Sequence, residues 1–233
     1  MRQQEAAPAT VDAGDLRRRC QHDPILADMK PERDNVSGSP PILPRMRVVA
    51  GDLGGRRLIA PEGTSTRPTT DRVREAIFNS LTSAGLIEGA LVADLFAGSG
   101  AIGIEALSRG AQHCIFVERD RRALLSLEDN LEALDLEDRS KVMASDAVAV
   151  AAALDADIVF ADPPYEFDAW DRLLERLDTG LVVAESGFEI AAPDGWAVIR
   201  AKKYGRTRVT FLERADATNQ SDGHTGEPVG SPE

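Results

Sequence analysis

The residues best suited to chemistry stand together at Asp162-Pro163-Pro164-Tyr165, directly after the strand-like run 157–161. An ionised Asp162 can accept one N–H of an exocyclic base amine, and the Pro163 carbonyl can accept the other. Because the lone pair of such an amine is delocalised into its ring, two fixed acceptors favour a pyramidal nitrogen that can attack a methyl group. The segment predicts methylation of an amino nitrogen. A proline-rich turn with Asp162 as a turn-former is the alternative.

The other residues of this segment support the same prediction. Proline fixes its own φ, so Pro163 and Pro164 hold the two acceptors rigidly. Tyr165 offers a ring on which an extruded base can stack, worth about 1–3 kcal/mol. Methyl transfer depends mainly on in-line positioning, and this chemistry needs no histidine, thiol or metal ion. We therefore expect all four residues to act at the reaction centre without a metal site.

A glycine-rich loop from Asp94 to Gly103 follows the first strand-like run of the body and opens a helix. Its glycines allow a sharp turn and a close approach of the backbone to a ligand. The G-x-G-x-x-G spacing also suits a nicotinamide cofactor, but an acid at Asp94 favours a ligand with an ammonium group over a pyrophosphate. We therefore predict S-adenosylmethionine as the cofactor, with contacts from Asp94, Phe96, Gly98 and Gly100.

Two further acids end the next two strand-like runs. Glu118 lies about 20 residues beyond the loop, where it can bind a ribose hydroxyl pair; both cofactors predict such an acid. Asp146 ends the third strand, where it can accept from the adenine amino group. It can equally cap the helix that begins at Ala147. We expect Glu118 and Asp146 to complete the cofactor site.

Strand-like and helix-like runs alternate along the body. The strands are predicted at 91–95, 113–118, 141–145, 157–161 and 181–185, and the helices at 101–109, 119–136, 147–154 and about 168–177. This alternation predicts a parallel sheet with helices on both faces. Two last extended runs, 196–202 and 206–213, predict a terminal hairpin. The predicted fold class is α/β: a Rossmann-like, mostly parallel seven-stranded sheet that ends in an antiparallel hairpin, as in class I methyltransferases.

Composition divides the chain into three parts. Residues 1–45 have several prolines and no aromatic residue, and residues 215–233 are small, polar and acidic, so both ends are predicted to be disordered. The methyltransferase domain is predicted at 46–214. Its first part, 46–85, is predicted to hold a glycine-rich hairpin at 47–61 and a helix at 72–83, and its second part, 86–214, the Rossmann-like core.

Charge is unevenly distributed along the chain. The net charge is −12, yet 23 acidic and 8 basic residues lie between 86 and 199, and basic segments at 46–74 and 200–214 flank this acidic centre. Phosphate binding needs only a local basic patch, so an acidic total is compatible with an RNA partner. The candidates for RNA contact are Arg56, Arg67, Arg72, Arg74 and Lys203, with ordinary solvated cations as the alternative for each.

The remaining features indicate a cytoplasmic protein without a membrane partner. No apolar run reaches the length of about 20 residues that spans a bilayer, and the N-terminus lacks a signal-peptide core. Cys20 and Cys114 are too few for a disulfide framework or a metal cluster. We expect Cys114 to be a small core residue.

Together these motifs resemble the bacterial 16S ribosomal RNA guanine-N2 methyltransferases of the RsmD type. The resemblance runs from about residue 46 to residue 212, and its family-specific part is the stretch 67–75, R-P-T-T-D-R-V-R-E. The loop 94–103 is shared by many methyltransferases, and D-P-P-Y by those that methylate amines. Ala50 stands where the family often has glycine, and residues 1–45 lie outside the family pattern.

The resemblance implies S-adenosylmethionine as methyl donor and a guanine of small-subunit ribosomal RNA as acceptor. It implies that the partner is an assembled or partly assembled small ribosomal subunit, and that Arg67, Arg72 and Arg74 lie at the RNA or cofactor edge. Other functions remain open. They are an amino methyltransferase acting on adenine in DNA or on a protein glutamine, a nicotinamide-dependent oxidoreductase, and a non-catalytic assembly factor.

Overall fold

The computed structural model describes residues 46–61 and 71–215. The helices are α1 (Asp71–Ser83), α2 (Ala101–Ser108), α3 (Arg121–Ala133), α4 (Ala147–Val150) and α5 (Trp170–Arg176). The strands are β1 (Leu91–Leu95), β2 (His113–Glu118), β3 (Ser140–Ala144), β4 (Ile158–Ala161), β5 (Leu181–Ser186), β6 (Trp196–Tyr204) and β7 (Thr207–Arg214). The ends predicted to be disordered, 1–45 and nearly all of 215–233, lie outside the described residues, as does Arg67.

These strands form a single sheet in the order β3-β2-β1-β4-β5-β7-β6. Strands β1 to β5 pair in parallel, and β7 pairs antiparallel with both β5 and β6. The predicted fold class is confirmed. Because the strand order reverses between β1 and β4, ligands in such sheets bind at the carboxyl ends beside this switch point.

The two faces of the sheet are covered by separate hydrophobic clusters. One packs α1, α2 and α3 against the sheet through residues such as Phe78, Ile104 and Leu127. The other packs α4 and α5 through Val148 and Leu173. Cys114 is buried in the first cluster, as predicted. In the ranges that the structure describes, no helix has the length and apolar character needed to cross a bilayer.

Helices α2 to α5 are shorter than predicted from the sequence. Helix α3 begins only after Asp120, whose carboxylate accepts hydrogen bonds from the amides of Arg122 and Ala123. It ends before Asp135, which takes a φ of 55°. The helix predicted over 147–154 is α4 followed by a 3₁₀ turn, Ala151–Ala153. Capping side chains and left-handed residues, rather than the apolar period, set these ends.

The N-terminal segment is held both by its own backbone hydrogen bonds and by contacts with α2. A single antiparallel bridge joins Arg47 and Arg57. The buried carboxylate of Glu105 accepts hydrogen bonds from the amides of Val49 (2.6 Å) and Ala50 (3.1 Å). Gly51 has a φ of 81°, and a Cβ there would overlap the Ser108 carbonyl. The predicted hairpin is therefore present as a small irregular one, with backbone hydrogen bonds between 46–48 and 55–58, and it packs closely on α2.

Candidate active site

A cleft of about 1230 Å³ opens along the carboxyl ends of β1, β2, β4 and β5. The turn of the β6–β7 hairpin and the first turns of α1 complete its walls. The residues that line it include Arg72, Arg74, Asp94, Phe96, Gly98, Glu118, Asp162, Pro163, Pro164, Tyr165, Glu185, Phe188 and Lys203. The cleft thus holds both the glycine-rich loop and the D-P-P-Y segment.

Asp94 is buried at the end of β1, where it ties the strand to α2. Its Oδ2 accepts a hydrogen bond from the Gly103 amide at 2.8 Å. Burial raises the pKa of the Asp94 carboxyl to about 7; the Gly103 bond opposes this shift, and the charges of Asp162 and Glu118 add to it. Asp94 therefore fixes the shape of the loop, and it lies close enough to Asp162 to feel its charge.

The glycines of the loop have different functions. Gly98 has a φ of 58°, and a Cβ there would meet nothing closer than the Phe96 carbonyl oxygen at 4.0 Å, so it borders open space in the cleft. Gly100 has a φ of 81°, and a Cβ there would overlap the Leu127 side chain of α3. Gly98 thus allows a ligand to approach, whereas Gly100 is required by the packing of the loop on α3.

Phe96 and Glu118 shape the cleft on either side of Gly98. Phe96 also has a positive φ, 62°, and its ring packs edge-on against Phe167 at 5.1 Å. The Oε2 of Glu118 accepts from the Gly98 amide at 2.8 Å, and its Oε1 accepts from the amides of Arg119 and Asp120. Backbone amides therefore fix the Glu118 carboxylate beside the loop.

Asp146 serves as a helix cap, one of the two roles that its sequence position allows. Its Oδ1 accepts from the Ala149 amide at 3.1 Å, and its Oδ2 pairs with the Arg119 guanidinium at 3.1 Å. Its neighbours Ser145 and Ala147 line the cleft, but Asp146 is not among the lining residues. Asp146 thus has a capping role, and an adenine contact from its side chain stays a prediction.

The acceptor segment leaves β4 at the edge of the cleft. Asp162 and Pro163 are partly buried, Pro164 is exposed, and the Pro164 carbonyl accepts from the Phe167 amide at 2.9 Å. The Tyr165 side chain is 60% exposed. Asp162 and Tyr165 both line the cleft. The segment therefore presents a carboxylate and a ring to the same space.

Comparison with known proteins identifies the family. A family model described as Conserved hypothetical protein 95 matches residues 46–213. Over 203 residues the chain is 36% identical to Ribosomal RNA small subunit methyltransferase D of Escherichia coli (strain K12), a span of 82% of this chain and 98% of that relative. This chain belongs to the RsmD-type methyltransferase family. The predicted resemblance is confirmed.

Other members of similar size match as well. The chain is 41% identical over 184 residues to YlbH of Bacillus subtilis (strain 168), which is 72% of this chain and 99% of YlbH. Among solved structures, yhhF from Escherichia coli superposes with a TM-score of 0.64 and 34% sequence identity, covering 73% of this chain and 98% of yhhF. The RsmD-type domain thus spans nearly the whole length of these relatives.

The structure corrects one of the basic residues expected at the RNA edge of this RsmD-type chain. Arg74 is only 1% exposed, and its Nη2 donates to the Arg47 carbonyl at 2.6 Å and to Asp71 at 2.9 Å. Burial lowers the pKa of the Arg74 guanidinium, and the carboxylates of Asp71, Glu105 and Glu185 oppose that shift. Arg74 therefore borders the cleft from inside the protein, with its guanidinium paired to protein groups rather than exposed at the surface.

The other basic candidates are on the surface but differ in position. Arg72 and Lys203 are exposed and line the cleft, on α1 and on the β6–β7 hairpin respectively. Arg56 is exposed too, but its guanidinium donates to the Ala133 carbonyl at the end of α3, and it does not line the cleft. Arg72 and Lys203 thus remain predictions for RNA contact at the cleft.

Sequence reasoning missed two residues of the cleft, Glu185 and Phe188. Glu185 lies near the carboxyl end of β5 and Phe188 lies just after it, and this end of the strand borders the cleft. Phe188 is 46% exposed, and among the aromatic residues of the described ranges only Phe188 and Tyr165 are exposed to such an extent. The signal available was topological, because the carboxyl end of every central strand in such a sheet is a candidate site.

Proposed function

We propose that this chain is an S-adenosylmethionine-dependent methyltransferase that methylates the exocyclic N2 amine of a guanine in 16S ribosomal RNA. The observation that carries the proposal is the meeting of Asp162–Tyr165 and the loop 94–103 in one cleft. The name of the Escherichia coli relative, a small-subunit ribosomal RNA methyltransferase, supports the choice of RNA. The natural substrate is then the small ribosomal subunit or one of its assembly intermediates.

The residues around the glycine loop fit the cofactor. Gly98 leaves open space for a ligand, and a side chain there would fill it. Glu118 is fixed by three amides and keeps lone pairs on both oxygens for a ribose hydroxyl pair. When bound, S-adenosylmethionine supplies a methyl group on a positively charged sulfur. The anionic side chains of Glu118 and Asp162 on the same cleft favour a cationic ligand.

The acceptor segment prepares the amine for attack. Asp162 accepts one N–H of the amine and the Pro163 carbonyl accepts the other, so the lone pair of the nitrogen is directed out of the ring plane. Both hydrogen bonds strengthen as positive charge develops on the nitrogen, and they therefore stabilise the transition state more than the bound substrate. The proton then leaves the nitrogen, to Asp162 or to water.

The decisive experiment identifies the product. Small ribosomal subunits from a strain that lacks the endogenous enzyme are incubated with the purified chain and S-adenosylmethionine, and the RNA is analysed by nucleoside and fragment mass spectrometry. We expect N2-methylguanosine at a single position. Three other results would contradict the proposal. Formation of N6-methyladenine in DNA or of a methylated protein glutamine would indicate an amino methyltransferase with that substrate. Binding of NADH without binding of S-adenosylmethionine would indicate an oxidoreductase.

Phe188 and Tyr165 give a prediction for base stacking. If an extruded base packs on these two exposed rings, Phe188→Ala lowers kcat/KM by roughly tenfold to a hundredfold, since stacking on an aromatic ring contributes about 1–3 kcal/mol. Steady-state kinetics with small subunits measures this effect. The control is Leu125→Ala, because Leu125 is also a large exposed apolar residue but lies on α3 outside the cleft. Equal effects of the two substitutions would contradict stacking on Phe188.

Lys203 gives a prediction for phosphate contact. Each phosphate neutralised by a lysine releases a counterion, so Lys203→Ala is expected to weaken subunit binding and to flatten the dependence of log K on log salt by about one. Binding measured over a series of salt concentrations gives this slope. Lys141→Ala serves as control, because Lys141 is exposed on β3 at the far edge of the sheet. A slope unchanged by Lys203→Ala would exclude a phosphate contact.

A further inference from the structure

A second carboxylate stands beside Asp162 in the cleft. Ala161 of β4 pairs with Ala184 of β5, so the residues that follow, Asp162 and Glu185, are neighbours at the carboxyl ends of adjacent strands. Side chains alternate along a strand, and Phe160 and Val183, two residues earlier in each, share one hydrophobic cluster. Asp162 and Glu185 therefore lie on the same face of the sheet. Glu185 is 5% exposed and lines the cleft.

Arg74 belongs to α1, which packs on this face of the sheet through the contact of Phe78 with Phe160. The Glu185 carboxylate is one of the charges that act on the Arg74 guanidinium, together with Asp71 and Glu105. The Nε and Nη1 atoms of Arg74 are buried and have no hydrogen-bond partner within residues 46–61 and 71–215. Glu185 thus places a second carboxylate next to Asp162 in the cleft.

We propose that Glu185 determines the choice of guanine by accepting the N1–H of the base while Asp162 accepts an N–H of the N2 amine. This inference rests on the proposed function. Guanine carries N1–H and the N2 amine side by side on its Watson–Crick edge, and two adjacent carboxylates provide the matching pair of acceptors.

The same arrangement rejects adenine. Adenine has an unprotonated N1, which is an acceptor and would face the Glu185 carboxylate without a proton between them. A site that buries an acceptor against an acceptor discriminates strongly, because neither group can recover the hydrogen bond that it made with water. Glu185 thus gives the cleft a physical basis for base choice that Asp162 alone lacks, since an exocyclic amine is common to both bases.

The test compares two bases at the nucleotide mapped by mass spectrometry. Small subunits are reconstituted with either guanine or 2-aminopurine at that position; 2-aminopurine keeps the N2 amine but has no proton on N1. The wild-type chain is expected to favour guanine in kcat/KM by roughly 10- to 100-fold, the range for a hydrogen bond to a charged group. Glu185→Gln replaces the acceptor by an amide that can donate to a bare N1. The guanine to 2-aminopurine ratio should therefore fall at least tenfold.

The control is Glu213→Gln, which removes another buried carboxylate. Glu213 lies on β7 opposite Leu181, at the other end of β5 from Glu185. Glu213→Gln should leave the ratio of the rates on guanine and 2-aminopurine unchanged. S-adenosylmethionine binding and thermal unfolding of each variant are measured alongside. A purely structural role of Glu185 lowers the rates on both bases together, whereas base recognition changes their ratio.

The outcomes separate this inference from the proposed function. An unchanged ratio in Glu185→Gln overturns the role of Glu185 and leaves the methyltransferase proposal intact. Failure of the wild-type chain to methylate guanine subunits overturns both. Equal wild-type rates on guanine and 2-aminopurine would exclude recognition of N1–H even if Glu185→Gln does not fold.

Discussion

Asp162→Ala is expected to leave S-adenosylmethionine binding nearly unchanged and to lower turnover by roughly 10²- to 10⁴-fold. The reason is that Asp162 accepts from the attacking amine and stabilises the charge that develops on it. The cofactor loop is built from other contacts, the Asp94 bond to Gly103 and the Glu118 bond to Gly98. Single-turnover methylation of small subunits and equilibrium binding of the cofactor measure the two effects separately.

Two further variants test the role of the Asp162 carboxylate. Asp162→Asn keeps a carbonyl acceptor but loses the negative charge, so its rate should lie between those of the wild type and Asp162→Ala. Asp168→Ala removes an exposed carboxylate a few residues along the same loop, outside the lining of the cleft, and should retain activity. Turnover that survives Asp162→Ala would refute the role of this carboxylate and favour the non-catalytic assembly factor.

The parallel sheet was predictable because its strands are buried. Strands β1 and β2 begin and end at the predicted residues, and β4 and β5 differ from prediction by one residue at one end. Strands covered on both faces form short continuous apolar runs between polar turns, which the sequence displays directly. The loop at 47–61 was not predictable in the same way. Its conformation depends on Glu105 and Ser108, more than 50 residues away.

The site was predictable where it depends on strand ends and not where it depends on packing. Asp94 and Glu118 lie at the carboxyl ends of buried strands and Asp162 directly follows one, so the topology brings them to one cleft. Arg74 was wrongly predicted at the RNA edge because that prediction rested on its charge and not on its position in α1. It shares a helical face with Phe78 and Leu81, both fully buried. The spacing of these residues predicts an interior position, but the Arg47 carbonyl that pairs with Arg74 comes from a distant segment.

The second large effect is expected at Asp94, whose carboxyl makes the free energy of unfolding depend on pH. Burial raises the pKa of the Asp94 carboxyl from its ordinary value of 3.8 to about 7. The folded protein therefore binds this proton more tightly than the unfolded chain does. The resulting stabilisation is fully present below about pH 4 and is lost as the pH rises through 7, at about 1.4 kcal/mol for each pH unit in between. Asp94→Asn, whose amide oxygen can still accept from Gly103, should abolish this loss.

Urea unfolding at a series of pH values between 5 and 8 measures this effect as the difference between wild type and Asp94→Asn. The difference isolates Asp94 from other groups, since both chains share the neighbouring Asp162, Glu118 and Cys114. Asp129→Asn is the control, because it removes an exposed carboxylate of α3 and should give a curve parallel to the wild type. Parallel curves for wild type and Asp94→Asn would contradict a raised pKa. We expect Asp94→Asn to become more stable relative to the wild type as the pH rises. This result would show that ionisation of Asp94 lowers the free energy of unfolding, as expected for a carboxyl that is buried to shape the loop.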